Sequence, residues 1–549
     1  MNNDKRLIED YLPIVDISAE ASREKSVRKG HISTLHLWWA RRPLVACRAA
    51  VYGALVPASQ FVPNGGTDAQ KKSLGRANAA KFLKLLCKYP GSLHAINEAQ
   101  QHILTAHADR LSTETGKTIT MDDIVAGRAP RPKVLDMFAG GGAIPLEALR
   151  LGCEAYALDL NPVAHIIELC TLVYPQKFGK SDSIAKGCSK SGTWAGLAAE
   201  VAHWGNYVLE TVRAEIGDLY PPIPDPEASG DELSSDPQSI MRFAESPQQK
   251  LKVKQGFLTP VAYLWTRTVR CKNPACEATV PLVKQTWLCK KKGRYVAMRM
   301  LTPKSEKRVR FEIVEARTES GLGFDPQDFS KGGNATCPFC GTVADADYVQ
   351  GEGCAKRVAQ QMMAVVCIRG KQQGKVYVSA EEIPALIPEP SAIQSLTAEL
   401  CLRTGLTVPQ ETISPLRPSP NARGLSAVTR HGMTTFGDLF SPRQMLCLMT
   451  FVAAIHATKR EMLRVGYDEQ HTKAVATYLA AIHDRLVDFN SSFCVHNYFG
   501  SSRIAHTFGR HALSMVWDFA EANPFHEGSG GWGTGAVCAA LSSPDSATG

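Results

Sequence analysis

Two short segments hold the side chains whose types and spacing are best suited to binding a small ligand. Residues 134–145 read VLDMFAGGGAIP, and residues 157–162 read ALDLNP. The first segment predicts a buried strand, a tight glycine turn with close backbone approach, and the start of an amphipathic helix. The second predicts a short strand that ends at Asp159, whose carboxylate can accept both hydroxyls of a ribose. Together they predict a site where a nucleoside lies against bare backbone.

The spacing of the glycines distinguishes between two cofactor classes. A dinucleotide fold requires G-x-G-x-x-G, whereas these glycines are consecutive. The run D-x-F-A-G-G-G instead resembles the first motif of S-adenosylmethionine-dependent methyltransferases, and D-L-N-P resembles their second, acidic motif. A plain turn without a ligand is the alternative. The resemblance implies these cofactor-binding residues: Asp136, Phe138, Ala139, Gly140, Gly141, Gly142, Asp159, Leu160 and Asn161.

Paired cysteines form a second candidate site. Thiols at this spacing, one pair followed directly by glycine, are typical of tetrahedral structural zinc. The N-terminus lacks the apolar core of a signal peptide, which favours reduced thiols over disulfides. Buried thiols without a metal are the alternative, and Cys289 and Cys354 are possible substitute ligands. The predicted ligands are Cys271, Cys276, Cys337 and Cys340.

The net charge of +9 is unevenly distributed. Residues 281–310 contain ten Lys or Arg and one acid, Glu306, a surplus equal to that of the whole chain. A localised basic surface suits contact with a phosphate backbone, although a solvated charged face is the alternative. The predicted nucleic-acid contacts in this segment are Lys290, Lys291, Lys292 and Arg294.

Residues 23–43 form a dense signature, REKSVRKGHISTLHLWWARRP. Apolar residues recur at helical spacing from Leu35 to Leu55, so the two adjacent tryptophans are expected on different sides of a helix. Trp39, Arg41 and Arg42 are predicted to contact nucleic acid. Arg41 and Arg42, beside His31 and His36, are also candidates to bind a phosphate or the cofactor carboxylate. A purely structural helix, packed through its indoles and capped by charges, is the alternative.

The length of 549 residues requires several domains. We predict an α/β fold: a Rossmann-like methyltransferase sheet, incomplete in this chain, with a helical N-terminal domain, an inserted zinc-ribbon module and a helical C-terminal part. A helix is expected from Arg510 to Ala522. Without a membrane-spanning run or a signal peptide, a cytoplasmic protein is expected. The predicted segments are a helical domain 1–127, a cofactor-binding portion 128–217, a flexible acidic linker 218–255, a zinc-ribbon basic module 256–355, a mostly helical DNA-recognition domain 356–527 and a disordered tail 528–549.

The order of these features resembles a bacterial and archaeal group of adenine-specific DNA methylases that contain a zinc ribbon. Three later segments, 432–443, 506–510 and 515–525, also match that group, so the resemblance spans nearly the whole chain. It implies methyl transfer from S-adenosylmethionine to the exocyclic amine of adenine in double-stranded DNA. It further implies a place in restriction-modification or phage defence, beside other subunits of a defence system.

One signature of amino-methyltransferases is missing from the sequence. Such enzymes use (D/N/S)-P-P-(Y/F/W), which accepts hydrogen bonds from the target amine and stacks on the flipped base. Residues 220–223 read YPPI and residues 523–525 read NPF, so neither qualifies. In the resembled group this tetrapeptide lies further toward the C-terminus.

We therefore expect a truncated or split chain that works with a C-terminal catalytic fragment, and the catalytic residues stay unknown. The alternatives are an RNA methylase and a catalytically inactive, zinc-stabilised DNA-binding or scaffold protein.

Overall fold

Two compact units make up the chain in the computed structural model. The first comprises residues 1–205, 461–482 and 534–549, and the second comprises residues 206–460 and 483–533. Both are discontinuous in sequence, so they do not coincide with the six predicted segments. The structure describes residues 5–27, 30–179, 196–228, 256–327, 333–370, 374–384, 387–416, 427–499, 503–509, 512–526, 528 and 530–542. Most of the predicted acidic linker, residues 229–255, lies outside these ranges.

Helices and antiparallel strands dominate the described residues. The helices are α1 (Leu7–Asp10), α2 (Ile14–Ser26), α3 (Leu44–Leu55), α4 (Asp68–Leu86), α5 (Leu93–Thr115), α6 (Met121–Val125), α7 (Ala143–Arg150), α8 (Pro162–Glu168), α9 (Tyr174–Phe178), α10 (Gly196–Ile216), α11 (Ala346–Cys354), α12 (Pro390–Thr404), α13 (Pro442–Arg464), α14 (Glu469–Phe489) and α15 (Gly535–Leu541). The strands are β1 (Lys133–Asp136), β2 (Glu154–Ala157), β3 (Ile223–Pro224), β4 (Phe257–Arg270), β5 (Thr279–Pro281), β6 (Trp287–Lys291), β7 (Arg294–Leu301), β8 (Arg310–Ala316), β9 (Ala335–Thr336), β10 (Val343–Ala344), β11 (Ala359–Ile368), β12 (Val376–Ser379), β13 (Val495–His496), β14 (Ile504–Ala505) and β15 (Asp518–Ala522). None of the described helices is long and apolar enough to cross a bilayer.

The apolar core of the first unit is built mainly by α3, α4, α5 and α7. Leu44, Tyr52 and Leu83 are completely buried in it, as is Leu146 of α7. The N-terminal region is helical as expected, but the helix that the spacing placed from Leu35 begins only at α3. The residues before it form a short 3₁₀ turn and irregular backbone.

A parallel pair, β1 and β2, carries the predicted glycine turn. The register runs from Lys133 opposite Glu154 to Asp136 opposite Ala157, and α7 lies between the strands in sequence. This is the β–α–β order that residues 134–162 predicted. Within the described residues neither strand has a further neighbour, so a larger Rossmann-like sheet stays a prediction.

The second unit is organised around one long strand, β4. It pairs antiparallel with β11 on one side and β15 on the other, in the order β12–β11–β4–β15, and the short strands β3 and β5 also pair with it. The prediction of a helix from Arg510 to Ala522 is therefore wrong. Residues 519–522 are buried on both faces of the strand, so they lack the alternation by which a strand is recognised.

This sheet also joins the predicted zinc-ribbon module to the predicted helical domain. Strands β11, β12 and β15 lie within residues 356–527, which were expected to be mostly helical. They complete a sheet whose central strand, β4, belongs to residues 256–355. Long-range pairing with β4 thus links the two segments, and their division at residue 355 stays a prediction.

The predicted disordered tail contains α15, which packs in the first unit. Val537, Ala540 and Leu541 are buried there. The Cys538 thiol lies 3.3 Å from the Ala198 carbonyl of the same unit. The segment was predicted to be disordered because its composition is rich in Gly and Ser, and its short apolar helix face was not recognised. Residues 543–549 lie outside the described ranges.

Candidate functional site

The glycine turn lies at the carboxyl end of β1. Its first bond is local, because the Phe138 amide donates to Asp136 Oδ1 at 3.1 Å. Gly140 and Gly142 have φ angles of 55° and 76°, a region that other residues rarely adopt. A Cβ at Gly142 would also lie 2.9 Å from Thr171 Oγ1. The turn therefore needs glycine at both positions.

The predicted acidic residue of the second motif contacts this turn directly. The Gly140 amide donates to Asp159 Oδ2 at 2.9 Å, and the Asn161 amide donates to Oδ1 of the same carboxylate at 2.8 Å. The Ala139 amide donates to the carbonyl of the residue before Asp159 at 3.0 Å. Asn161 Oδ1 accepts the Val163 amide and so caps α8. The structure thus brings the two motifs together at one end of the parallel pair.

An apolar surface surrounds the ends of β1 and β2. Side chains that usually lie in a core are more than half exposed here, and Leu135 and Met137 were expected to lie in a buried strand. In the described part of the chain, nothing covers this surface. The exposed fractions are Leu135 58%, Met137 60%, Phe138 82%, Leu158 58% and Leu160 97%.

Trp38 packs against the glycine turn. A Cβ at Gly140 would lie 2.4 Å from its Nε1 atom, and one at Gly141 would lie 3.9 Å from its Cβ. The indole therefore occupies the space directly above Gly140. A ligand that reaches Gly140 from this side contacts or displaces Trp38, a feature that the glycine motif alone did not predict.

Glu168, at the end of α8, is a buried carboxylate that the sequence analysis did not single out. Only 4% of it is exposed, and its Oε1 atom has no hydrogen-bond partner among the residues that the structure describes. Burial, and then the charges of Asp159 and Asp136, raise the pKa of Glu168 to about 7. A π-helical turn, Leu169–Val173, follows directly, and such turns are frequent at functional sites. The sequence signal was weak, because a glutamate in an amphipathic helix usually lies on the solvent face.

We expect Glu168→Gln to stabilise the protein at high pH. The folded protein keeps the Glu168 proton up to about pH 7, whereas the unfolded chain loses it near 4.5. The free energy of unfolding of the wild type therefore falls as the pH rises through this interval. The variant has no proton to lose at this position, so its free energy of unfolding does not fall for this reason. Urea unfolding should show a gain of roughly 1–2 kcal/mol near pH 8 and little gain near pH 4.5. A gain that does not vary with pH would contradict the assignment.

The N-terminal signature forms a buried charge cluster. Glu24 is fully buried, and its carboxylate accepts the Leu44 and Val45 amides at 2.8 and 3.1 Å, which caps α3. His31 Nε2 lies 2.9 Å from Glu24 Oε1, and Arg41 Nη2 lies 2.9 Å from the same ring nitrogen. Burial raises the pKa of Glu24, but the bonds from His31 and the two amides outweigh it, so the pKa is lowered overall.

The three predicted nucleic-acid contacts at the N-terminus differ in their surroundings. Arg41 is engaged with His31 inside the first unit, with 23% of its side chain exposed. Trp39 is half exposed, and Arg42 is at the surface. Neither tryptophan lies on a helix, so the expected two-sided helix is wrong: the buried Glu24 cap starts α3 only after the tryptophans.

The four predicted zinc ligands form one cluster in the second unit. Their sulfur atoms all lie within 4.8 Å of one another, with 3.5 Å between Cys271 and Cys340 and 3.8 Å between Cys276 and Cys337. Tetrahedral zinc with bonds of about 2.3 Å requires sulfurs about 3.8 Å apart. Among the described residues, no other group of His, Cys, Asp or Glu has this geometry. The predicted ligand set is confirmed as a cluster compatible with structural zinc.

The sheet of the second unit positions these cysteines. Cys271 directly follows β4, and Cys337 and Cys340 lie in the turn between β9 and β10. The Gly341 amide donates to the Cys337 carbonyl at 2.9 Å and closes that turn. The proposed substitutes are excluded from the cluster: Cys289 is buried in the sheet core, and Cys354 is exposed at the end of α11.

Acids on β8 and beyond it partly neutralise the predicted basic patch. Arg294 donates to both oxygens of Glu315 at 2.9 and 3.0 Å, and Lys290 Nζ lies 2.7 Å from Glu319. Lys291, the last residue of β6, and Lys292, in the turn that follows, are exposed. Glu315 and Glu319 lie outside residues 281–310, so the charge count over that segment did not include them. They contact the basic patch from β8 and from the turn after β8.

Comparison with known proteins identifies only a short region. The family profile described as a protein of unknown function, DUF1156, matches residues 11–82. That region contains the N-terminal signature and the segments that form α2, α3 and most of α4. No curated protein and no solved structure matches the chain.

Proposed function

We propose that this chain binds S-adenosylmethionine in its first unit and acts on duplex DNA as part of an adenine-specific DNA methyltransferase. The observation that carries the proposal is the 2.9 Å hydrogen bond from the Gly140 amide to Asp159 Oδ2. It joins the two motifs of the resemblance where parallel strands end, the usual position for a nucleotide in an α/β sheet.

The charges around the turn suit this cofactor. S-adenosylmethionine carries a sulfonium and an ammonium group, and the carboxylates of Asp136 and Asp159 supply negative charge on one side of the turn. Glu168 adds to this charge when it loses its proton, which its raised pKa places near pH 7. Asp159 retains lone pairs for the ribose hydroxyls after its two backbone bonds. The unpartnered Oε1 of Glu168 suits the methionine part of the cofactor. When bound, the cofactor supplies the methyl group.

Calorimetry with S-adenosylmethionine and with its demethylated product tests the proposal. We expect binding by the wild-type chain and at least about a tenfold loss of affinity in Asp159→Asn. The substitution removes the negative charge and replaces one acceptor oxygen with an NH2 donor. Asp109→Asn, which changes an exposed carboxylate on α5, is the matched control and should bind like wild type. Absence of heat with either ligand would overturn the proposal.

The exposed apolar surface around β1 and β2 supports a role for a further polypeptide segment. We propose that this segment continues the parallel sheet and supplies the missing (D/N/S)-P-P-(Y/F/W) element. Covering a large exposed apolar patch is strongly favourable. Within the described residues, the outer edges of β1 and β2 pair with no further strand, so their backbone groups can pair with an added one. On its own, this chain is then expected to have little or no methyl transfer activity.

The position of Trp38 favours a second candidate function. Because its indole lies over Gly140, the turn is already covered in this structure. A catalytically inactive protein, stabilised by zinc and binding DNA or a protein partner, would leave the indole there. The calorimetric experiment separates the candidates, since such a scaffold would bind neither form of the cofactor.

A further inference from the structure

A small cavity in the second unit combines a buried cation with an unpartnered ring nitrogen. Its volume is about 140 Å³, and its polar lining residues are Arg267, Lys356, His431 and Asp438, beside the Trp517 ring. None of these residues belongs to the cysteine cluster or to the glycine turn. The cavity therefore has a chemistry of its own.

Among the described residues, no acid forms an ion pair with the buried Arg267. Only 3% of the residue is exposed, and it donates to the Val516 carbonyl at 3.0 Å and to the carbonyl and hydroxyl of Ser492 at 3.1 and 2.9 Å. Its guanidinium also packs on the rings of Phe493 and Phe519. Burial lowers the pKa of Arg267 to about 10. Buried charges in proteins are normally paired, so an anion is the missing partner.

His431 adds a hydrogen-bonding atom that has no partner. Its Nδ1 atom is buried and forms no hydrogen bond within the described part of the chain. The ring meets Trp517 edge-on, with 5.1 Å between ring centroids. Burial, and then the charges of Arg267 and Arg430, lower the pKa of His431. The neutral imidazole can present an N–H donor at this position.

The remaining charges of the lining cancel. Lys356 Nζ lies 3.0 Å from Asp438 Oδ1 and also donates to the Gly432 carbonyl at 2.6 Å. The other oxygen of Asp438 accepts the Thr434 and Thr435 amides at 2.8 and 3.0 Å. Arg267 therefore leaves the lining with one net positive charge.

We propose that this cavity binds one singly charged phosphate group, the phosphodiester of a DNA backbone. A phosphodiester carries a single negative charge, which matches the lining, and a cavity of this size holds about five waters or one such group. Arg430 lies exposed at the edge and extends the positive field outward. The anion site stands without the function proposed above, whereas the choice of DNA as its source rests on that function.

The first arm of the test uses dimethyl phosphate, a free phosphodiester, against sodium chloride at equal ionic strength. We expect it to raise the Tm of the wild-type chain by about 2 °C or more, because it binds only the folded state. Arg267→Met and His431→Phe should both lose this rise. His431→Phe keeps the ring against Trp517 and removes the donor, so it stays informative if Arg267→Met folds poorly. An absent rise in wild type, or an undiminished rise in both variants, would overturn the anion site.

The second arm measures binding of a labelled duplex of about 20 base pairs by anisotropy at several salt concentrations. We expect both variants to bind the duplex roughly fivefold to tenfold more weakly. In Arg267→Met, which removes the charge, the slope of log affinity against log salt should also fall by about one. Lys459→Gln, which removes an exposed charge from α13, is the matched control. A Tm rise without a change in DNA binding would assign the cavity to a free oxyanion and overturn the DNA source. If wild type binds no duplex, the DNA partner of the proposed function fails, and the first arm still decides the anion site.

Discussion

Replacing Cys337 with serine is expected to release the metal and unfold the cysteine cluster. The four sulfurs already have the spacing that tetrahedral zinc requires, so loss of one thiolate removes a quarter of the ligand set. Structural zinc contributes on the order of 10 kcal/mol or more to the folding of small sites, which is comparable with the whole stability of a domain. The effect of this single substitution should therefore be among the largest in the chain.

Metal analysis and thermal unfolding together measure that effect. We expect about one zinc per wild-type chain, substantially less in Cys337→Ser, and a Tm lower by more than about 10 °C. A strong chelator should lower the Tm of wild type and leave the variant unchanged. Cys354→Ser, at an exposed cysteine of α11 outside the cluster, is the control and should keep both metal and Tm. Full metal content in Cys337→Ser would refute the ligand assignment.

Features that depend on a short stretch of chain were predictable from the sequence. The turn between Asp136 and Gly142 is one case, since its backbone bonds and positive φ angles follow from glycine chemistry and from a strand that ends nearby. The turn that carries Cys337 and Cys340 is another, because its shape is set by the residues within it. In both cases the chemistry and the local backbone are specified together.

Features that depend on distant partners were not predictable. Strand β15 forms because it pairs with β4, which lies about 250 residues earlier in the sequence. Ala522, for example, is opposite Ala262. Glu24, Glu168 and Arg267 look like surface residues in sequence, and only their packing makes them buried charges. The extent of the parallel sheet beyond β1 and β2 is of the same kind, and it stays a prediction.

The second large effect is expected at Glu147 of α7, which is fully buried between two arginines. Arg48 of α3 donates to its carboxylate at 2.6 and 3.1 Å, and Arg150 donates at 2.9 Å. Arg48 is fully buried and Arg150 nearly so. Removing the carboxylate leaves two cations in the core, and breaking a buried pair in this way typically costs about 3–5 kcal/mol. Glu147→Leu should therefore lower the free energy of unfolding by about that amount, measured by urea denaturation.

The double variant Arg48→Met, Glu147→Leu distinguishes a charge effect from a packing effect. It removes one of the two stranded cations, so we expect it to be more stable than Glu147→Leu alone. Glu154→Leu, at an exposed glutamate of β2, is the control and should change stability by less than about 0.5 kcal/mol. Equal or greater destabilisation in the double variant would show that the pair is held by packing. Because Gly142 is the N-cap of α7, the Glu147 variant should also weaken binding of the proposed cofactor at the glycine turn.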